Sequence, residues 1–246
     1  MEIFRAFRRY PGVLTEQLLR LVGRSDRTPR ESPSAKQTFT AIYRSGTWGS
    51  NAKTGDRYFS GTGSHDPQVV DPYVAAVSAF LRELSGSPSV VDLGCGDFNV
   101  GSKIRQLCGS YTACDIVEEL IERNQRVFAS LAVDFRVLDM INDDLPAARV
   151  FFVRQVLQHL SNADIAQVLS KIPTTCEYLI VTEHLPSKAG FVPNVDKERG
   201  HEIRLRVGSG VVLTAAPFEL KPISEEVLCE VPEMGGVIRT LAYRLR

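Results

Sequence analysis

Tryptophan occurs once and histidine four times in 246 residues, and net charge is missing altogether, since 29 Lys and Arg stand against 29 Asp and Glu. A balance of zero supplies no global field toward nucleic acid or an anionic membrane, so neither partner is expected without a local patch. Long apolar runs are missing too. No stretch approaches the roughly 18 residues of a membrane span, and Arg5, Arg8 and Arg9 interrupt any apolar signal core near the N-terminus. The chain is therefore expected to be cytoplasmic, with no membrane span. Its cysteines, Cys95, Cys108, Cys114, Cys176 and Cys229, are odd in number and form no C-x-x-C pair. That argues against a disulfide framework and a zinc site, and leaves reduced core thiols.

What is present is enough apolar material, 43% of the chain, to fill one substantial core. Residues 1–36 hold the one basic excess, eight Lys and Arg against four acids. Residues 15–22 read as a short amphipathic helix and 23–36 as a Ser, Pro and Arg-rich linker. The division expected is therefore 1–40 as a basic helix and linker and 41–246 as the main domain. The helix either packs as an appendage or touches a membrane surface through residues 1–22. Residues 41–71 mix Gly and Ser with Trp48, Tyr58, Phe59 and His65, the composition of a lid loop folding over a site. Asp71-Pro72 reads as cap and first position of a helix ending at Gly86.

From residue 89 onward, short apolar runs alternate with helical segments, the pattern of buried parallel strands and their crossovers. The runs are 90–93, 111–115, 133–139, 150–153 and 178–182; the helices are 102–108, 117–129 and 161–172, the last opened by a Ser161 and Asp164 capping box. Val211-Val-Leu-Thr and Val237-Ile-Arg-Thr-Leu-Ala-Tyr add an antiparallel hairpin at the edge. The expected fold is α/β: a doubly wound, Rossmann-like, mostly parallel seven-stranded sheet with an antiparallel C-terminal hairpin and an N-terminal helical and loop extension.

Ligands of open α/β sheets sit beyond the carboxyl ends of the strands. Strand one ends at Asp92 and turns through Gly94-Cys95-Gly96; strand two ends at Asp115-Ile116, with Asp115 19 positions after Gly96; strand three ends at Asp139-Met140 and strand four at Arg154-Gln155. A Gly-x-Gly loop with an acid at that distance suits a ribose. Phe98 near the phosphate position and Asp92 before the loop disfavour a pyrophosphate, and an NAD-dependent oxidoreductase with it. A ligand bearing an ammonium group matches better.

Val90-Val-Asp-Leu-Gly-Cys-Gly, then Asp115, then Leu138-Asp139-Met140, then Val153-Arg-Gln-Val-Leu-Gln-His159-Leu-Ser together resemble the successive motifs of class I S-adenosylmethionine-dependent methyltransferases. The resemblance covers residues 70–246 and implies S-adenosyl-L-methionine as cofactor. It implies that Gly94, Cys95 and Gly96 line the methionine moiety with Asp92 nearby, that Asp115 and Ile116 meet the ribose, and that Asp139 and Met140 meet the adenine, with Arg154 and Gln155 beside them.

For the proton of an acceptor hydroxyl a base is needed. His159 and His184 are the candidates, His184 with Glu183 beside it to fix a tautomer. Trp48, Tyr58, His65 and Arg154 are expected on the acceptor and lid side. The Asn/Asp-Pro-Pro-aromatic signature of many amino-group methyltransferases is missing at Arg154-Gln155, so the expected reaction is transfer to a hydroxyl of a small polar molecule or glycan. A small-molecule N-methyltransferase and a non-catalytic adenosine-ligand scaffold subunit stand as alternatives, and a homo-oligomer is left open. No metal site is expected: Asp139, Asn142, Asp143 and Asp144 read as a polar turn.

Overall fold

A computed structural model describes residues 33–50, 55–56, 58–172 and 176–246. The basic helix expected at 15–22 and the peripheral contact expected of residues 1–22 lie outside them. The body to which the site belongs runs from Ser34 to Arg246.

Its first element is α1 (Ala35–Ser45), where linker and lid loop are expected. Ser34 accepts the Gln37 N–H while the Gln37 side chain returns to the Ser34 N–H, a reciprocal cap. Phe39 and Tyr43 then fall on one face, which packs against Ile116, Val117 and Leu120. The next helix, α2 (Pro67–Glu83), starts a turn earlier than expected. Asp66-Pro67 carries the same cap and first-position signal as Asp71-Pro72, and Asp66 is the residue that accepts the Gln68 N–H.

Five parallel strands follow: β1 (Ser89–Leu93), β2 (Ser110–Asp115), β3 (Asp134–Val137), β4 (Val150–Arg154) and β5 (Tyr178–Pro186). The expected 102–108 helix shrinks to one α turn, α3 (Gly101–Ile104), and a 3-10 turn. The other crossovers are α4 (Glu118–Val127) and α5 (Asn162–Lys171), the latter with the Ser161 and Asp164 capping box in place. An antiparallel pair, β6 (Ser224–Glu233) and β7 (Gly236–Arg244), closes the sheet in the order β3-β2-β1-β4-β5-β7-β6.

Strand alternation divides the core. Val91, Leu93, Phe151, Val153, Leu179 and Val181 face α5, whereas Val90, Phe152 and Ile180 face α2. Strand order reverses between β1 and β4, which opens a crevice at their carboxyl ends.

One expected strand is absent. Val211-Val-Leu-Thr is an irregular turn, although Val211 and Leu213 are buried. Asn194 explains it: its side chain accepts the Val212 N–H and donates to the carbonyls of Val212 and Ala216, so this backbone is satisfied by an amide rather than by a neighbouring strand. Among the described residues no helix is long and apolar enough to cross a membrane, and all five cysteines are free.

Candidate functional site

The loop after β1 is shaped by contacts within the protein. Gly94 and Gly96 adopt φ of +75° and +56°, values that cost a side-chain-bearing residue energy. A Cβ on Gly94 would lie 2.6 Å from Val156 Cγ2, and one on Gly96 would collide with Ser60. Phe98 departs from expectation. At φ +61° its ring turns away from the crevice and packs edge-on against Tyr111, Phe128 and Phe135 at 4.9–5.4 Å, so no ring blocks the loop.

Asp115 accepts the N–H of Gly96 at 3.1 Å and of Val117 at 3.0 Å. Burial still pushes its carboxyl up to about 6, against those donors. Asp92 accepts the Tyr111 hydroxyl at 2.9 Å, and burial raises it to about 7, opposed by that bond and by the charge of Arg154. Asp139 accepts from the Ile141 N–H and the Asn142 amide at 2.9 and 2.8 Å, closing the polar turn after β3. Among the described residues no cluster of three potential metal ligands occurs. Burial holds the Cys95 thiol well above its ordinary pKa.

Over this rim lies a strap, residues 58–65. Ser60 N–H donates to Asp97 Oδ2, the Asp97 N–H donates to Ser60 Oγ, and His65 Nε2 stands 2.6 Å from the same carboxylate. Arg154 donates to Gly63 O at 2.6 Å and Ser64 Oγ at 3.2 Å. Of the lid residues expected at the cavity, Trp48 lines it, but Tyr58 and His65 do not. Tyr58 packs on Tyr43, and His65 stacks on Phe59 at 4.2 Å. Both brace the strap from behind.

The three candidate catalytic residues separate. Adjacent strand residues point to opposite faces, so Glu183 does not hold His184. Glu183 is buried and accepts the N–H of Leu157 and of Gln158, each at 3.0 Å; burial raises its carboxyl to about 8, against those donors and the charge of Arg204. His184 places Nε2 2.9 Å from Glu233 O in the β6–β7 turn and lines the cavity. His159 Nδ1 meets Gly200 O at 3.1 Å, its ring lies 5.2 Å from Trp48, and burial followed by the Lys197 charge lowers it to about 4.

Asp92, Gly94, Cys95, Gly96, Asp115 and Ile116 share one cavity of about 470 Å³ with Asp139, Met140, Arg154 and Gln155, a volume suited to a small-molecule ligand. Gln155, at φ +55°, follows β4 and has a buried amide nitrogen with no partner. Several lining residues are not in the sequence expectation: Phe39 and Tyr43 from α1, Gln158, Ile203 and Met234. The i, i+4 pair Phe39 and Tyr43 was a readable signal; for Met234, at a hairpin tip, there was none.

Residues 90–177 match the methyltransferase domain family. No curated protein matches in sequence. Among solved structures, the N-methyltransferase NodS of Bradyrhizobium japonicum with S-adenosylhomocysteine is 11% identical at TM-score 0.55, over 74% of this chain and 90% of that one. A SAM-dependent methyltransferase of Leishmania major is 13% identical at TM-score 0.58, over 86% and 85%. The N-terminal domain of EvdMO1, with S-adenosylhomocysteine and D-fucose, is 18% identical at TM-score 0.55, over 87% and 100%.

The residues present suit that cofactor: a glycine loop, carboxylates at the ends of β1 and β2, and a buried amide donor without a partner. Sheet order and the solved structures give this chain a Rossmann-like methyltransferase fold, and its residues 90–177 match the methyltransferase domain family.

Proposed function

We propose that the protein transfers a methyl group from S-adenosylmethionine to a hydroxyl of a small polar molecule or sugar. The cofactor supplies a methyl carried on a positively charged sulfur; the chain supplies alignment and a place for the acceptor's proton. In this reading Asp115 takes the ribose hydroxyls, Ile116, Asp139 and Met140 border the adenine, and Gly94, Cys95 and Gly96 border the methionine end. Trp48 and His159 wall the acceptor side.

The observation that carries the hydroxyl reading is the end of β4. Arg154-Gln155-Val156-Leu157 turns there into a 3-10 segment that opens on a guanidinium, and the Asn/Asp-Pro-Pro-aromatic signature that accepts hydrogen bonds from a planar amine is missing. The fold alone does not discriminate, because one structural neighbour is an N-methyltransferase and another was crystallised with D-fucose.

His184 is the better base. With Nε2 directed at Glu233 O, its Nδ1 keeps a lone pair to receive a proton, whereas the low pKa of His159 makes that imidazole a weak proton acceptor. Glu183 is a positioning residue, holding the turn that carries Gln158 and His159.

A panel of sugars, phenols and amines, assayed for release of S-adenosylhomocysteine, tests the reading. Turnover with hydroxyl acceptors is expected, falling about a hundredfold or more in His184→Gln and less than about tenfold in His159→Gln. Turnover with amines alone would reassign the reaction to nitrogen.

A further inference from the structure

The tip of the β6–β7 hairpin carries a residue that its turn does not favour. Met234 and Gly235 join Glu233 to its cross-strand partner Gly236, and both stand at positive φ, +45° and +73°. A two-residue loop of that kind ordinarily takes Asn-Gly, since glycine and asparagine visit the left-handed region at little cost and methionine does not. Met234 is also 75% exposed, so it fills no core. A side chain that serves neither turn nor core, yet lines the cavity, points to a ligand.

Its position ties it to the candidate base. Glu233 O, one residue earlier, meets His184 Nε2 at 2.9 Å, and Ile238, paired with His184 across β5 and β7, also lines the cavity. Trp48, against the His159 ring, and Ile203 belong to the same lining. Much of the polar lining is engaged with the protein: His159 Nδ1 with Gly200 O, and Arg206 with Glu202. The wall therefore offers an acceptor apolar contact more than hydrogen bonds.

We infer that Met234 is a specificity-determining residue lying against the ring of an aromatic acceptor, so that the hydroxyl methylated is a phenol rather than a sugar hydroxyl. This narrows the hydroxyl transfer proposed above, on which it rests. A thioether is soft and adapts to an aromatic ring, whereas each hydroxyl of a sugar must find a polar partner when it is buried. A phenolic O–H, of ordinary pKa about 10, also gives its proton to an imidazole far more readily than an alcohol does. That proton goes to His184 Nδ1, the oxygen takes the methyl carbon, and the sulfur keeps the electron pair of the broken bond.

Catechol and other simple phenols are compared with methyl glycosides and with primary amines as acceptors for the wild type, Met234→Asn and Met234→Leu, beside calorimetry with S-adenosylhomocysteine and a melting curve. The wild type is expected to use phenols with a kcat/KM about tenfold or more above that for glycosides. Met234→Asn raises the phenol KM about fivefold with kcat within about twofold, while Met234→Leu stays near the wild type. Asparagine suits the turn, so Met234→Asn melts no lower than the wild type and keeps its S-adenosylhomocysteine affinity within about twofold, a pattern that a merely structural role would not produce. Glycosides used as well as phenols, or an unchanged phenol KM in Met234→Asn, overturns the inference and leaves hydroxyl transfer standing. Turnover of amines alone overturns the hydroxyl transfer itself.

Discussion

At Gly96 one missing side chain serves two needs, a left-handed backbone and the close seat of Ser60 against the loop. Gly96→Ala is expected to lose about 1–2 kcal/mol from the backbone alone, and more if Ser60 cannot turn aside; urea unfolding measures the sum. Asp115→Asn keeps the shape of its side chain. On the proposed ribose contact it weakens S-adenosylhomocysteine by about tenfold, and because its NH2 replaces one of the two oxygens that accept the Gly96 and Val117 N–H groups it also lowers stability by about 1–3 kcal/mol; calorimetry and a melting curve read the two effects separately. The acids at strand ends are legible in the sequence because a strand must end somewhere and the glycine loop says where. What each carboxylate touches is less legible. Glu183 and His184 are neighbours in sequence, yet the two-residue period of a strand sends one under the turn after β4 and the other into the cavity.

Among elements, β1, β2, β4 and β5 are readable because each is an apolar run buried largely on both faces, whereas β3 is an edge strand in which Phe135 alone is buried. The strand β6 is harder to see, since Glu225, Glu226 and Glu230 populate an exposed edge, whereas the apolar 211–213 run looks like a strand and is a loop saturated by Asn194. That residue stands at φ +58°. Asn194→Gly removes only the amide contacts, and Asn194→Ala adds backbone strain. Both are expected to destabilise, by about 2–3 kcal/mol for several buried bonds, with the alanine variant worse; limited proteolysis between residues 187 and 223 should show the loosened loop. The strap offers a parallel test. His65→Ala removes the 2.6 Å contact to Asp97 and the stack on Phe59. Faster amide hydrogen exchange is expected in 58–65 with β1 unchanged; equal protection in both would show that the strap is held by Ser60 and Arg154 alone.

For the molecule as a whole, folding buries Asp92 at the cavity and Glu183 under the turn after β4, and pH reports the cost. Asp92 rises to about 7 and Glu183 to about 8, both from the ordinary carboxylate range, and burial is the first cause in each. A carboxyl whose folded pKa exceeds its unfolded one makes the folded state bind more protons. Its contribution to stability is therefore complete below the unfolded value and is lost as pH rises through the folded one. His159 acts oppositely, its pKa lowered to about 4, but that contribution is complete once pH passes the unfolded histidine value of about 6.5. Between pH 6.5 and 8 the two carboxyls dominate these terms, so the ligand-free protein is expected to lose stability to urea as pH rises across that window. On the expectation that the cofactor's ammonium lies beside Asp92, it favours the ionised form, so S-adenosylhomocysteine should bind more tightly at pH 8 than at 6.5 and return part of the lost stability by mass action. Asp92→Asn should flatten both dependences together. If the affinity slope survives that substitution, the proton that ligand binding releases comes from another group, and Asp92 does not face the ammonium.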